Sequence, residues 1–286
     1  MYQIKKLFLH GLRNAALASV SCVFAFGVLA APQAGEGDNT SVDVNALVQK
    51  AEQVAYYAGN DGRSMARMLI VDDQGRKQMR QFTILRKDVL DGEGKDTGDQ
   101  QMLVFFSRPT EVDGTVFRVE KHASLSQDDD RWLYLPALDL VKRIAAGDKR
   151  TSFVGSHFFY EDVSGRAIAQ DSFEMLSQTP SHYVLKATPK APDTVEFSHY
   201  VVEIEKSTYL PTTINFFKGE ENYRRVEAVT VENIQGFPTV VRSKVSDLVS
   251  GGYTLMEFRG VQYDIDLPEA IFSERSLRVP PQAYIN

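Results

Sequence analysis

From His182 to Ile265 the chain alternates between short strand-like runs and turn residues, with no helical spacing between them. The runs are HYVLKATP, HYVVEIEKS, PTTINFFKG, YRRVEAVTVENI, TVVRSKVSDL and GYTLMEFRGVQYDI, separated by Pro, Gly, Asn, Asp or Ser. Side chains alternate faces along a strand, and consecutive strands joined by short turns pair antiparallel. Six such runs at roughly ten-residue spacing indicate a sheet that curls on itself. In the last run Met256 and Phe258 share one parity, while Val261, Tyr263 and Ile265 share the other. One extra residue near Gly260 returns all five to one face, and such a bulge bends the strand.

The first half reads less evenly. Val44, Leu47, Val48, Ala51, Val54, Ala55 and Ala58 recur at helical spacing, which predicts a helix over 43–58 with Asp43 as its cap and Gly59 as its stop. MARMLIVDD and RKQMRQFTILRK flank Gln74-Gly75 as a hairpin, and the acidic, glycine-rich stretch DVLDGEGKDTGDQ reads as an exposed loop. QMLVFFSRP, GTVFRVEK, RWLYLP and LVKRIAA read as further strands, the last two separated by a turn at Ala137–Asp139. GSHFFYEDV suits a short helix or a lid-like turn.

The N-terminus belongs to none of this. Lys5, Lys6 and Arg13 precede a small, apolar run from Ala15 to Ala30, the pattern of a secretory signal cleaved between Ala30 and Ala31. Residues 31–42 then form a flexible lead-in, and 43–286 a single domain. Cys22 lies inside the apolar run, so the mature chain carries no thiol for disulfides, metal or nucleophilic chemistry. Losing three basic residues moves the formal net charge from -6 to -9. An acidic domain without a basic cluster is a poor binder of nucleic acid.

Catalytic signatures are missing. There is no G-x-S-x-G elbow, no H-E-x-x-H, no P-loop and no dinucleotide-binding glycine pattern. His122, His182 and His199 have no ligand spacing; His157 and Glu161 would share a helix face, but two side chains do not make a metal site. Asp128-Asp129-Asp130 lacks the spaced oxygens of a calcium loop and reads as a solvated turn. Neither metal nor cofactor is expected.

Aromatic residues run through the strands instead. A curved sheet must cover its inner face with helices, another sheet or an apolar guest. One firm helix is little cover, so a guest is expected. Each buried methylene of an acyl chain contributes roughly 0.8 kcal/mol.

The block from Arg131 to Val163 carries a family likeness. Trp132, Tyr134-Leu135-Pro136-Ala137, Arg143-Ile144, Ser152-Phe153, Gly155-Ser156, Phe158 and Tyr160-Glu161-Asp162 resemble the signature of LolA-like outer-membrane lipoprotein-sorting proteins. SRPTEVDGTVFRVE, LPTTINFF and FRGVQYDIDLPEAIFS fit the same pattern, so the likeness runs from about residue 45 to the end. His157 departs from it, standing where Asp is expected. The resemblance implies a mainly β half-barrel of about ten or eleven antiparallel strands with a few covering helices. It also implies a periplasmic, non-enzymatic carrier or chaperone for a lipid or acylated protein, in transient contact with membrane surfaces. An inner-membrane transporter of the RND class and an outer-membrane acceptor are the implied partners; the alternative is a non-catalytic accessory protein of that transporter. Trp132, Tyr134, Phe153, Phe158, Tyr160, Phe216 and Phe258 are the candidate acyl-chain contacts. Arg143, Arg150, Glu161 and Asp162 are candidates for head-group contact or for structural ion pairs.

Overall fold

The computed structural model describes residues 42–124 and 126–285. The expected signal segment, its cleavage position at Ala30 and Ala31, and most of the lead-in lie outside them. The first half contributes strands Asp61–Val71 (β1), Lys77–Leu90 (β2), Asp96–Arg108 (β3), Val116–Lys121 (β4), Asp130–Leu135 (β5) and Leu140–Arg143 (β6). The second contributes Asp171–Gln178 (β7), His182–Pro189 (β8), His199–Glu205 (β9), Pro211–Lys218 (β10), Glu221–Ile234 (β11), Phe237–Asp247 (β12) and Tyr253–Tyr263 (β13). Helices are Val44–Tyr56 (α1), Tyr160–Ser164 (α2) and Gln282–Ile285 (α3).

All thirteen strands form one open antiparallel sheet, ordered β6-β5-β4-β3-β2-β1-β13-β12-β11-β10-β9-β8-β7. The expected mainly β architecture holds, with more strands than the ten or eleven implied by resemblance. One of them, β7, has no counterpart among the runs read from sequence; its DSFEMLSQ faces solvent at alternate positions and pairs only with β8. The order is two meanders joined where β1 pairs β13. That topology leaves β6 and β7 at opposite edges, so the segment between them, 144–170, must cross a face of the sheet.

It crosses the inner one. Phe153, Phe158 and Tyr160 from this segment pack with Phe82, Phe106, Phe117 and Met256 of the sheet. The Phe153 ring sits 5.4 Å from Phe117 and 5.7 Å from Phe106. Beside this lid, α1 covers the inner face of the second meander, where Leu47, Val48 and Ala51 meet Leu185, Tyr200, Val202 and Phe216. Asp43 caps α1 as expected, accepting from the amides of Asn45 (2.9 Å) and Ala46 (3.2 Å).

The outer face of the first meander has its own cover. Beyond β13, Leu267, Phe272 and Leu277 pack on Leu85, Leu103, Phe105 and Val116. With both faces covered, Met102–Phe106 of β3 is buried at every position rather than at alternate ones.

Two local readings need adjusting. The stretch DVLDGEGKDTGDQ is mostly strand, and its turn is only Asp91–Lys95, where the Asp91 carboxylate accepts from the amides of Glu93 and Lys95. Its ends close inward because Gln100 donates to Asp88 at 2.9 Å, both side chains being buried. The bulge at Gly260 is present: Arg63 pairs Gln262 and Met65 pairs Arg259, with Gly260 at φ +56°. Met256, Phe258, Val261 and Tyr263 thereby share the inner face. Ile265 does not join them. Asp264 and Asp266 adopt positive φ, and the Asp61 carboxylate accepts from the amides of Ile265 and Leu267, turning the chain to the outer face.

Candidate functional site

Between the C-terminal turn of α1 and the lid lies an apolar groove with about 370 Å³ of free volume. Its floor is the inner face of the strands at the centre of the sheet, where Ile84, Val226, Met256 and Phe258 stand side by side. Its walls are Val54, Ala55 and Ala58 from α1 and Phe158 and Val163 from the lid, with Phe216 of β10 at one side. The period-two alternation of each strand places these residues inward, and the Gly260 bulge keeps β13 in phase across its whole length.

Most polar groups around the groove are engaged elsewhere. Arg86 binds Asp88 at 2.5 Å and donates to the carbonyls of Ala58 and Gly59, fixing the end of α1. Asp162 pairs with Arg224 and accepts from the Phe159 amide at 2.6 Å, capping α2. Burial raises the Tyr56 phenol well above its ordinary value, helped by nearby carboxylates. The surface a guest meets is hydrocarbon and aromatic rings.

Of the candidate acyl contacts, Phe158, Phe216 and Phe258 line this groove. Phe153 and Tyr160 lie deeper, inside the core that binds the lid to the sheet, their rings 5.5 Å apart. Trp132 and Tyr134 are on the opposite face. Trp132 packs under the Arg118 guanidinium at 4.6 Å, Arg118 donates to the Phe272 carbonyl, and Tyr134 joins the same C-terminal cluster. The likeness of residues 131–163 marked the lid and the strands next to it, but not which face each strand residue takes.

The charged candidates form structural pairs. Glu161, 2% exposed, meets Arg150 at 2.7 Å, Arg166 at 3.2 Å and Lys149 at 3.3 Å. Burial alone would raise its carboxyl, but Arg150, Arg166 and Lys149 outweigh burial and hold it below the ordinary value. Arg150 also binds Glu196 at 2.6 Å, and Arg166 binds Asp171 at 2.8 Å. Burial would raise Glu196 too, yet Arg150 and the Tyr223 hydroxyl hold it down at about 2. Arg143 is separate: it is exposed and pairs with Asp130, which also faces His122 at 3.2 Å. Neither Glu161 nor Asp162 is its partner.

His157 sits ahead of α2 rather than in it, and donor groups bring it to β13. Its amide donates to the Thr254 hydroxyl at 3.0 Å, and its Nδ1 lies 2.8 Å from the same oxygen. Burial lowers its pKa; Asp247 opposes this and Arg224 adds to it. His157 and Glu161 therefore do not converge on a common point. Sequence reasoning missed Arg224, Glu196 and Arg166, whose partners lie 62, 46 and 5 positions away.

An open antiparallel sheet, a lid crossing its inner face and an apolar groove between lid and helix define a protein of the LolA-like half-barrel class. A solved structure from Vibrio parahaemolyticus, described as a putative outer membrane lipoprotein-sorting protein domain, shares the fold at 23% identity and TM-score 0.72, over 82% of this chain and 97% of that one. A LolA superfamily protein from Nitrosomonas europaea shares it at 15% identity and TM-score 0.62, over 82% and 99%. A DUF1329 family protein from Desulfovibrio piger is 28% identical at TM-score 0.74, over 81% and 96%. The chain belongs to that DUF1329 family, whose model, described as "Uncharacterized protein", matches residues 98–279. Curated proteins gave no match.

Proposed function

We propose that the protein is a periplasmic carrier that takes an acyl chain of a lipid or acylated protein into the groove and passes it towards the outer membrane. The observation that carries this reading is the groove itself: a preformed hydrocarbon surface, roofed by a helix and a lid, in an open sheet. Its volume falls within the roughly 300–1,000 Å³ of small-molecule sites. Burying ten methylenes yields about 8 kcal/mol, enough for roughly micromolar affinity before ordering costs are subtracted. The lipoprotein-sorting description of the Vibrio relative supports the same reading. Among the described residues no helix is long and apolar enough to cross a membrane.

In this account residues 1–30 are a cleaved signal and 43–286 the working domain. No covalent step is involved; cargo moves because donor, carrier and acceptor bind it with different affinities. Donor and acceptor are an RND-class inner-membrane transporter and an outer-membrane receiver, met in transient contact with the membrane surface. Phe158, Phe216 and Phe258 touch the chain, Phe153 and Tyr160 anchor the lid, and the Arg150–Glu161 pair keeps the lid in register. Titration with a fluorescent fatty-acid analogue tests the reading. Saturable one-to-one binding that Phe216→Asp abolishes is expected; no binding by the folded wild-type protein refutes it and favours a non-catalytic transporter accessory.

A further inference from the structure

The groove ends against a cation whose hydrogen bonds are incomplete. Arg224 lies on the inner face of β11, two residues before Val226 and directly across from Phe216, both of which line the groove. It is 3% exposed, with its guanidinium 4.3 Å from the Phe159 ring and 5.2 Å from Phe216. Nη2 donates to Asp162 and to the His157 carbonyl. Nε and Nη1 have no hydrogen-bond partner among the described residues. A buried guanidinium normally fills its donors, because each unmet one sacrifices hydration without return.

The other cations nearby are spoken for. Arg86 has Asp88 and two carbonyls; Arg150 has Glu161 and Glu196. Asp162 differs from those carboxylates because it lines the groove itself and holds a second partner, the Phe159 amide, when it leaves Arg224. An anion arriving along the groove can therefore take its place.

Resting on the carrier reading, we infer that the groove selects a single-chain anionic amphiphile whose carboxylate or phosphate exchanges with Asp162 on Arg224. The tail then runs over Val226 and Phe216 towards Met256 and Phe258. Free volume limits the tail: at roughly 30 Å³ per methylene, the share a water molecule takes in the liquid, 370 Å³ holds one chain of about a dozen carbons. Oxyanions suit the site because a guanidinium offers them paired, planar donors.

Dodecanoate, dodecyl phosphate and dodecanol, compared by displacement of a fluorescent probe, test this. Either or both anions are expected to bind at least tenfold more tightly than the alcohol, and whichever binds better identifies the head group. Arg224→Gln should erase that preference. Asp162→Asn should increase it by removing the competing carboxylate, and this variant carries the test if Arg224→Gln fails to fold. Equal affinity for all three ligands, or an Asp162→Asn protein with no gain for anions over the alcohol, overturns the inference and leaves the carrier reading standing. Binding of none of them removes both.

Discussion

Replacing Glu161 by glutamine should loosen the lid more than any exposed charge change. The carboxylate is buried and within 3.3 Å of three cations. Removing one partner from a buried ion pair costs about 3–5 kcal/mol, because the remaining charge is left uncompensated. Arg150 keeps Glu196 and Arg166 keeps Asp171, so the loss falls at the low end, about 3 kcal/mol. For a domain of this size each kcal/mol moves the melting temperature by roughly 2–4 °C. A decrease of about 6–12 °C is expected from thermal denaturation followed by far-ultraviolet circular dichroism at neutral pH. Arg143→Gln is the control, since Arg143 is exposed and pairs with Asp130 at the surface; it should cost less than about 1 kcal/mol. A Glu161→Gln protein that melts within about 2 °C of wild type would refute the view that this network fixes the lid.

Further predictions concern the groove, the bulge and acid. Phe258→Asp should weaken acyl binding at least tenfold while circular dichroism shows an intact sheet, whereas Trp132→Arg, on the opposite face, should leave binding unchanged and lower stability only. Gly260→Ala should cost about 1–2 kcal/mol through its positive φ, because the new Cβ meets only the flexible end of Met65; denaturant titration reads the difference. Glu196, with its ordinary value near 4.5 and its folded value about 2, contributes stability that is present above pH 4.5. That contribution declines as pH falls from there through the folded value. Glu196→Gln should therefore flatten the stability profile over this acid range; an unchanged slope in melting temperature against pH would contradict the Arg150 pairing.

What the sequence disclosed follows from how local each signal is. Asp43 and the apolar spacing after it specify α1 without help from elsewhere, and the parity switch around Gly260 announces its bulge within eight residues. The face taken by Trp132 is not local information. Leu133 points to the inner core and Trp132 to the outer one because a segment more than a hundred residues later, around Leu267 and Phe272, covers that outer surface. Strand β7 escaped because as an edge strand it buries little, so its pattern is diluted by exposed polar residues. The lid was readable as a short turn, but its position was not: that depends on the β1–β13 pairing, which sets β6 and β7 at opposite edges. Arg224 carries no mark in the sequence beyond its charge, since its partners belong to the lid.

These separations explain how the parts cooperate. The sheet supplies a continuous apolar floor, α1 and the lid supply removable cover, and buried charge pairs hold that cover at a defined height. A carrier needs a surface for hydrocarbon that water does not reach, together with a way to release it.

Native mass spectrometry of protein recovered from the periplasm, with organic extraction of anything bound, addresses the central claim most directly. The account predicts a stoichiometric adduct whose extract contains an acyl chain, lost in Phe258→Asp. A clean mass that stays unchanged after incubation with lipids and lipopeptides would contradict it.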